Sequence, residues 1–194
     1  MVTGSDEELN QRLSLILPEF KVRGMLLNGV LEVVRQLGSE AAMQRCLEAS
    51  GEKRFVEFFQ YPSSILLRML YTAARLLSDE YGGFEGALRK MGHKGAMNFL
   101  STPVGRVLVL TIQKNPKRLM NNMPSAFRAA SSMECAVAWK GPSHAVFTMK
   151  RDFIPLAYTE GALLVVKDIT TAQGVMISSR YTQDFDSEYE VSWS

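Results

Sequence analysis

Residues 135–150 read CAVAWKGPSHAVFTMK, and residues 188–193 read EYEVSW. In the first stretch Cys135, Val137 and Trp139 alternate with Ala136 and Ala138, and Gly141-Pro142-Ser143 supplies a turn. His144 to Lys150 follows as a second strand, so the spacing predicts a hairpin. In the other stretch Tyr189, Val191 and Trp193 alternate with Glu188, Glu190 and Ser192, giving one buried face and one wet face. Gly174 to Tyr181 reads as its hairpin partner. Between the hairpins, Pro155 to Ile169 carries Leu156, Leu163, Leu164 and Val166 and reads as a helix. Residues 133–194 therefore predict a four-stranded antiparallel sheet in the order hairpin, helix, hairpin. Trp139, Phe147, Val175, Tyr189, Val191 and Trp193 are the candidates for its helix-facing side.

The rhythm before residue 133 is helical. Apolar spacing predicts helices over Met25–Gln36, Glu40–Ala49, Ser63–Leu77, Phe84–Leu100 and Val104–Gln113. Ser39 and Thr102 are placed as N-caps, and Gly51 as a stop. Phe55, Phe58 and Phe59 suggest a further helical piece over Lys53–Gln60. Pro116 and Pro124 head two short helices, 117–122 and 125–132. Leu13 to Val22 reads as extended around Pro18. The Ser63–Leu77 helix is apolar on most sides, which marks it as central. The expected fold class is α+β: a helical layer of about seven helices packed on the four-stranded sheet. Residues 1–12 are expected as a flexible polar tail, and 13–194 as a single α+β domain.

Composition limits the function. The chain has 194 residues, 46% apolar and 22% charged, with net charge +2, so bulk charge selects no partner. Cys46 and Cys135 are too few for a disulfide framework, which makes a reducing cytoplasm the expected location. No run approaches the roughly 18 apolar residues of a membrane span. Asp6, Glu7 and Glu8 oppose a basic export signal.

Chemistry-bearing motifs are sparse. The two histidines, His93 and His144, and the missing Cys-x-x-Cys leave no structural zinc pattern, and no metal or cofactor is expected. There is no Gly-x-Ser-x-Gly elbow and no phosphate loop. Gly92 and Gly95 fit close helix contacts. Cys135 and His144 face each other at most as a hairpin pair, so an enzyme is not expected. From Arg89 to Arg128 there are eight Lys and Arg residues and no acid, whereas residues 133–194 hold eight acids against five bases. The basic stretch is interleaved with Met91, Met97, Met120 and Met123, which favours apolar contact over nucleic acid.

Several stretches carry a resemblance. They are Tyr61-Pro62 before an apolar helix, Glu85 to Gly92, Thr102-Pro103-Val104-Gly105-Arg106, Asn115-Pro116-Lys117-Arg118, and Tyr189-Glu190-Val191-Ser192-Trp193. Over roughly residues 20–193 the sequence resembles a myxobacterial paralogous family of uncharacterised proteins about 200 residues long. Its topology also looks like the fold shared by haem-nitric-oxide sensor domains, vinyl-reductase-like effector domains and transport-particle subunits. That resemblance implies a small-ligand pocket or an assembly surface. Its haem branch would need a proximal histidine and a Tyr-x-Ser-x-Arg motif. Ser178-Ser179-Arg180-Tyr181 has the wrong order, and His93 stands where the uncharacterised family is basic, so haem is not expected.

The resulting expectation is a non-enzymatic ligand-binding or sensory module. Its apolar pocket would lie between the Ser63–Leu77 helix, the Val104–Gln113 helix and the sheet, lined by Met69, Phe99, Leu108 and Phe147. Glu85, Arg89 and Arg106 are expected as structural polar residues, with Glu85–Arg89 as an i, i+4 pair and Glu85 as a buried partner for Arg106. The alternative is an interaction scaffold that dimerises or docks a protein partner through its helical layer, with Met120 and Met123 exposed.

Overall fold

The structure, a computed structural model, describes residues 2–183 and 185–194. The chain begins with a helix where a loose tail over 1–12 is expected. Ser5 accepts the Glu8 N–H, three acids occupy the first turn, and α1 runs Asp6–Ser14. The helix has little apolar signature because its most buried side chain is Arg12.

Leu13 to Val22 is extended only at its end. β1 (Lys21–Arg23) pairs antiparallel with β2 (Gln60–Pro62) in a separate two-stranded ribbon. No helix forms over Lys53–Gln60: the segment is irregular and turn until Gln60 enters β2. The start of α2 (Gly24–Leu37) uses this segment as a cap: Gly24 N–H donates to the Phe59 carbonyl and Met25 N–H to the Glu57 carbonyl, both at 2.9 Å. Phe55 is buried, but Phe58 and Phe59 face solvent, so the three aromatics never share a face.

The remaining helices before residue 133 are α3 (Glu40–Ser50), α4 (Ser63–Leu77), α5 (Phe84–Leu100), α6 (Pro103–Ile112) and α7 (Pro116–Ala130). α7 is one helix, not two. Pro124 removes only one turn's hydrogen bond. Leu119, Met120 and Met123 are buried before the proline, and Phe127 packs on Phe147 after it, so both halves lie on the core. Met120 and Met123 are therefore not exposed.

The sheet holds β3 (Cys135–Gly141), β4 (His144–Met149), β5 (Met176–Tyr181) and β6 (Ser187–Ser192) in the order β3-β4-β6-β5, antiparallel throughout. Val137, Phe147, Tyr189 and Ser179 lie in one row across it. Phe147, Tyr189 and Val191 are fully buried on the helix-facing side. Trp139 shares that side by parity but stands on the edge strand, half-exposed, with its ring edge-on to Trp193 at 5.9 Å. The core is continuous from this face through α2, α4 and α5. Among the described residues no single helix is long and apolar enough to cross a membrane.

The segment between the hairpins breaks at Leu164 into α8 (Leu156–Leu163) and α9 (Val165–Ile169). α8 crosses α5 at backbone contact. A Cβ on Gly92 would lie 1.9 Å from the Tyr158 carbonyl oxygen, and one on Gly161 would lie 1.9 Å from that of Arg89. Gly92→Ala must push the helices apart, and a loss of about 1–3 kcal/mol is expected from chemical denaturation. Gly95→Ala is the contrast. Its Cβ would meet only ordinary contacts from 3.5 Å outward, so the better helix propensity should leave the protein equally or more stable.

Candidate functional site

That close crossing brings the end of α5 nearest Arg89 against α8 and β5, and α1 closes the remaining side. Together they surround a pocket of about 160 Å³. Its polar walls are Glu8 and Arg12 on one side and Arg89, Glu160 and Ser179 on the other, with Tyr181 between them. Phe84, Leu88 and Leu156 supply apolar surface.

Arg12 anchors the first wall and is only 6% exposed. Its Nε and Nη2 donate to Glu8 Oε1 at 3.0 and 2.9 Å, and Nη1 donates to the Tyr181 hydroxyl at 2.7 Å. The other Glu8 oxygen accepts the Gly4 N–H at 2.7 Å. The guanidinium carbon lies 5.4 Å from the centre of the Tyr181 ring and 5.8 Å from that of Phe185. Burial opposes the Arg12 charge, but Tyr181, Tyr71 and Glu8 outweigh it and hold its pKa above the ordinary value. Tyr71 is fully buried close enough to Arg12 and Glu8 to feel both charges, and burial pushes its hydroxyl pKa up.

The second wall ties three elements together. Arg89 Nε and Nη2 both donate to Glu160 Oε2, at 2.9 and 2.7 Å. Glu160 Oε1 accepts the Ser179 hydroxyl at 2.5 Å. Arg89 is thus committed to α8 and not to Glu85, which stands exposed on the pocket's rim. Arg106 is also exposed. α6 leaves α5 at 89°, and Arg106 Nε donates to the Ser101 carbonyl at 3.1 Å, so no buried Arg106–Glu85 pair forms.

Asp152, close enough to Arg12 and Tyr181 to feel the one and act on the other, is fully buried at the β4–α8 junction. It accepts the Ser187 hydroxyl at 2.6 Å, the Tyr189 hydroxyl at 2.7 Å and the Ile154 N–H at 3.1 Å. Burial outweighs those three bonds and pushes the carboxyl up to about 6.

Tyr181 also borders a second, open groove of about 1210 Å³, which runs past Leu15, Phe20, Arg151 and Phe185. Arg151 and Phe185 both hold left-handed backbone, at φ 46° and 63°. Asp186 fixes this corner by accepting the Arg151 N–H at 2.9 Å and pairing with Lys150.

The four residues expected to line an apolar pocket do not come together on either cavity. Met69 and Phe147 are fully buried core, Phe99 and Leu108 are half-buried, and none lines the pocket or the groove. Of the three polar residues singled out, Glu85 and Arg89 reach the pocket and Arg106 does not. Sequence reasoning missed Glu8, Arg12, Glu160, Ser179 and Tyr181. A signal for the first two was present: Ser5-x-x-Glu8 is a capping-box spacing, and Arg12 follows Glu8 by four residues.

No curated protein matches the sequence. Solved structures do match in fold. An H-NOX protein from K. algicida superposes with a TM-score of 0.67 at 12% identity, over 89% of this chain and 96% of that one. An H-NOX protein from S. oneidensis gives 0.68 at 12% identity, over 89% and 99%. A T. tengcongensis H-NOX mutant gives 0.60 at 10% identity, over 89% and 97%. At these identities the likeness establishes the α+β fold alone. The sequence itself matches the family described as "Protein of unknown function (DUF2378)" over residues 15–194, and the chain belongs to that family.

Proposed function

We propose that this protein is a non-enzymatic ligand-binding or sensory module whose site is the charged pocket between α1, α5, α8 and β5. The observation that carries the reading is the pair of opposed ion pairs across that pocket. Glu8–Arg12 and Arg89–Glu160 are each fixed by a β5 hydroxyl, from Tyr181 and Ser179 respectively. Polar groups held in place around a cavity, with apolar surface beside them, are what a specific small-ligand site requires. At about 160 Å³ the space lies below the roughly 300 Å³ at which drug-sized pockets begin, so the ligand is small and polar.

The state of the chain's thiols supports binding over catalysis. Both cysteines lie away from the pocket, and burial pushes the Cys46 thiol up to about 12 and raises Cys135 as well, so neither is an activated thiolate. Asp152 is enclosed by three donors and does not line the pocket.

The similar structures are described as an Fe(II) unliganded H-NOX protein and an H-NOX protein in the Fe(II)NO ligation state. The residues of this chain do not fit a haem. His93 Nε2 lies 2.6 Å from Asp168 Oδ2, and His144 Nε2 lies 3.1 Å from Glu190 Oε2 on the sheet's outer side. Neither histidine borders the pocket or the groove. On the sheet's inner side Phe147, Met149 and Tyr189 are packed to zero exposure, which leaves no slot for a macrocycle. The proposed ligand is therefore held by the protein's own charges and hydroxyls, not through a metal.

A thermal-shift screen of small polar metabolites tests the proposal. A binder should raise the melting temperature of the full chain and lose that effect in Arg89→Met. A binder that shifts Arg89→Met equally would sit elsewhere and contradict the assignment.

A further inference from the structure

α6 has the sequence PVGRVLVLTI, yet six of its ten residues are exposed. Val104, Val107 and Leu110 stand 66%, 64% and 76% exposed, about one turn apart along one side. Isolated exposed aliphatics are ordinary on a protein surface, but three in a row on one short helix are not. The helix turns 89° away from α5, so it stands out from the helical layer. The stretch of chain that contains it carries only positive charge. Arg106, Lys114, Lys117 and Arg118 are all exposed, and no acidic residue occurs between Glu85 and Glu134.

The geometry points to α6 and the start of α7 as a peripheral contact for an anionic lipid bilayer. Val104, Val107 and Leu110 enter the boundary between headgroups and acyl chains, and the surrounding cations meet the lipid phosphates and carboxylates. Three features select a bilayer over a protein partner. Protein interfaces depend on aromatic or arginine anchors seated in pockets, whereas this stripe is purely aliphatic. No α6 residue borders the pocket or the groove described above, so the stripe is not part of either recess. A fluid bilayer needs neither. A symmetric pairing of two α6 faces is disfavoured because it would bring the same four cations together. The contact is independent of the pocket and does not rest on the ligand-binding reading.

Sedimentation of the full chain with vesicles tests this. The protein should bind vesicles of phosphatidylcholine with about 30% phosphatidylserine and not pure phosphatidylcholine, and binding should weaken at about 0.5 M salt. The double variant Val107→Asp/Leu110→Asp should bind about tenfold more weakly. Lys114→Glu/Lys117→Glu should lose binding to a similar extent. All these side chains are exposed, Lys117 with its ammonium 5.8 Å from the centre of the Trp139 ring, and circular dichroism and thermal melting check that the variants stay folded. The proposal is overturned if the parent ignores anionic vesicles or if the aspartate variant binds as well as the parent. It is also overturned if the parent is a dimer that Val107→Asp converts to monomer, since α6 would then be a self-association face.

Discussion

Arg12→Met should lower the stability of the protein by about 3–5 kcal/mol, the largest single effect expected outside the hydrophobic core. The methionine keeps the aliphatic stem but leaves Glu8, at 12% side-chain exposure, as a carboxylate without its counter-charge. It also takes the donor from the Tyr181 hydroxyl and the cation from beside the paired Tyr181 and Phe185 rings. The urea midpoint should fall with an unchanged slope. Adding Glu8→Gln to the variant should recover much of the loss, because the stranded charge is the main cost. A variant as stable as the parent would mean that Arg12 does not engage Glu8 and Tyr181 as described.

The second large effect concerns Asp152. Asp152→Ala leaves two buried hydroxyls and one N–H without their acceptor, and a loss of roughly 3 kcal/mol or more is expected. The pH dependence has a definite sign. The folded-state pKa is about 6, above the ordinary 3.8, so the native state binds the proton more tightly than the unfolded chain. The Asp152 contribution therefore strengthens the fold as pH falls from above 6 toward 4 and weakens it as pH rises through that window. Asp152→Asn keeps an acceptor and carries no charge to bury, and the two hydroxyls can turn to meet its amide. Its stability at pH 7 should match or exceed the parent's, and the slope between pH 4 and 6 should flatten. If the slope persists unchanged in Asp152→Asn, another group is responsible.

The sheet is legible in the sequence because alternation is a strong signal where one face is wet and the other buried. Tyr189 and Val191 against Glu188 and Glu190 fix β6 with no further information. The pairing of β4 with β6 is less legible, since a hairpin pattern specifies neighbours in sequence and not which hairpins join. The helical layer is readable from α2 to α6 for the same reason of period. Period fails where a segment's backbone bonds lie outside itself, as at Lys53–Gln60, whose carbonyls cap α2. It fails again at α7, where Met120 and Met123 before Pro124 and Phe127 after it pack on the same core.

The pocket is hidden for a different reason. Its apolar lining is minor and its defining groups are charged, so a search for large apolar residues selects Met69 and Phe147, which are core. Long-range polar pairing has no local signature. Arg89 has Glu85 four residues before it on the same helix, yet it pairs with Glu160, 71 positions away, because Gly92 and Gly161 let α8 close onto α5. Arg12 is passed over with the polar N-terminus because charged residues are almost never fully buried unless paired, and its partners Glu8 and Tyr181 come from a capping turn and a strand near the other end of the chain.

Native mass spectrometry of the full chain purified from its own host tests the ligand site most directly. The protein should carry a small molecule that departs on denaturation, sized for a cavity of about 160 Å³. The same preparation of Arg89→Met, folded by circular dichroism, should lack it. A parent protein whose mass is that of the bare chain under gentle conditions, or a molecule retained in full by Arg89→Met, would contradict the account.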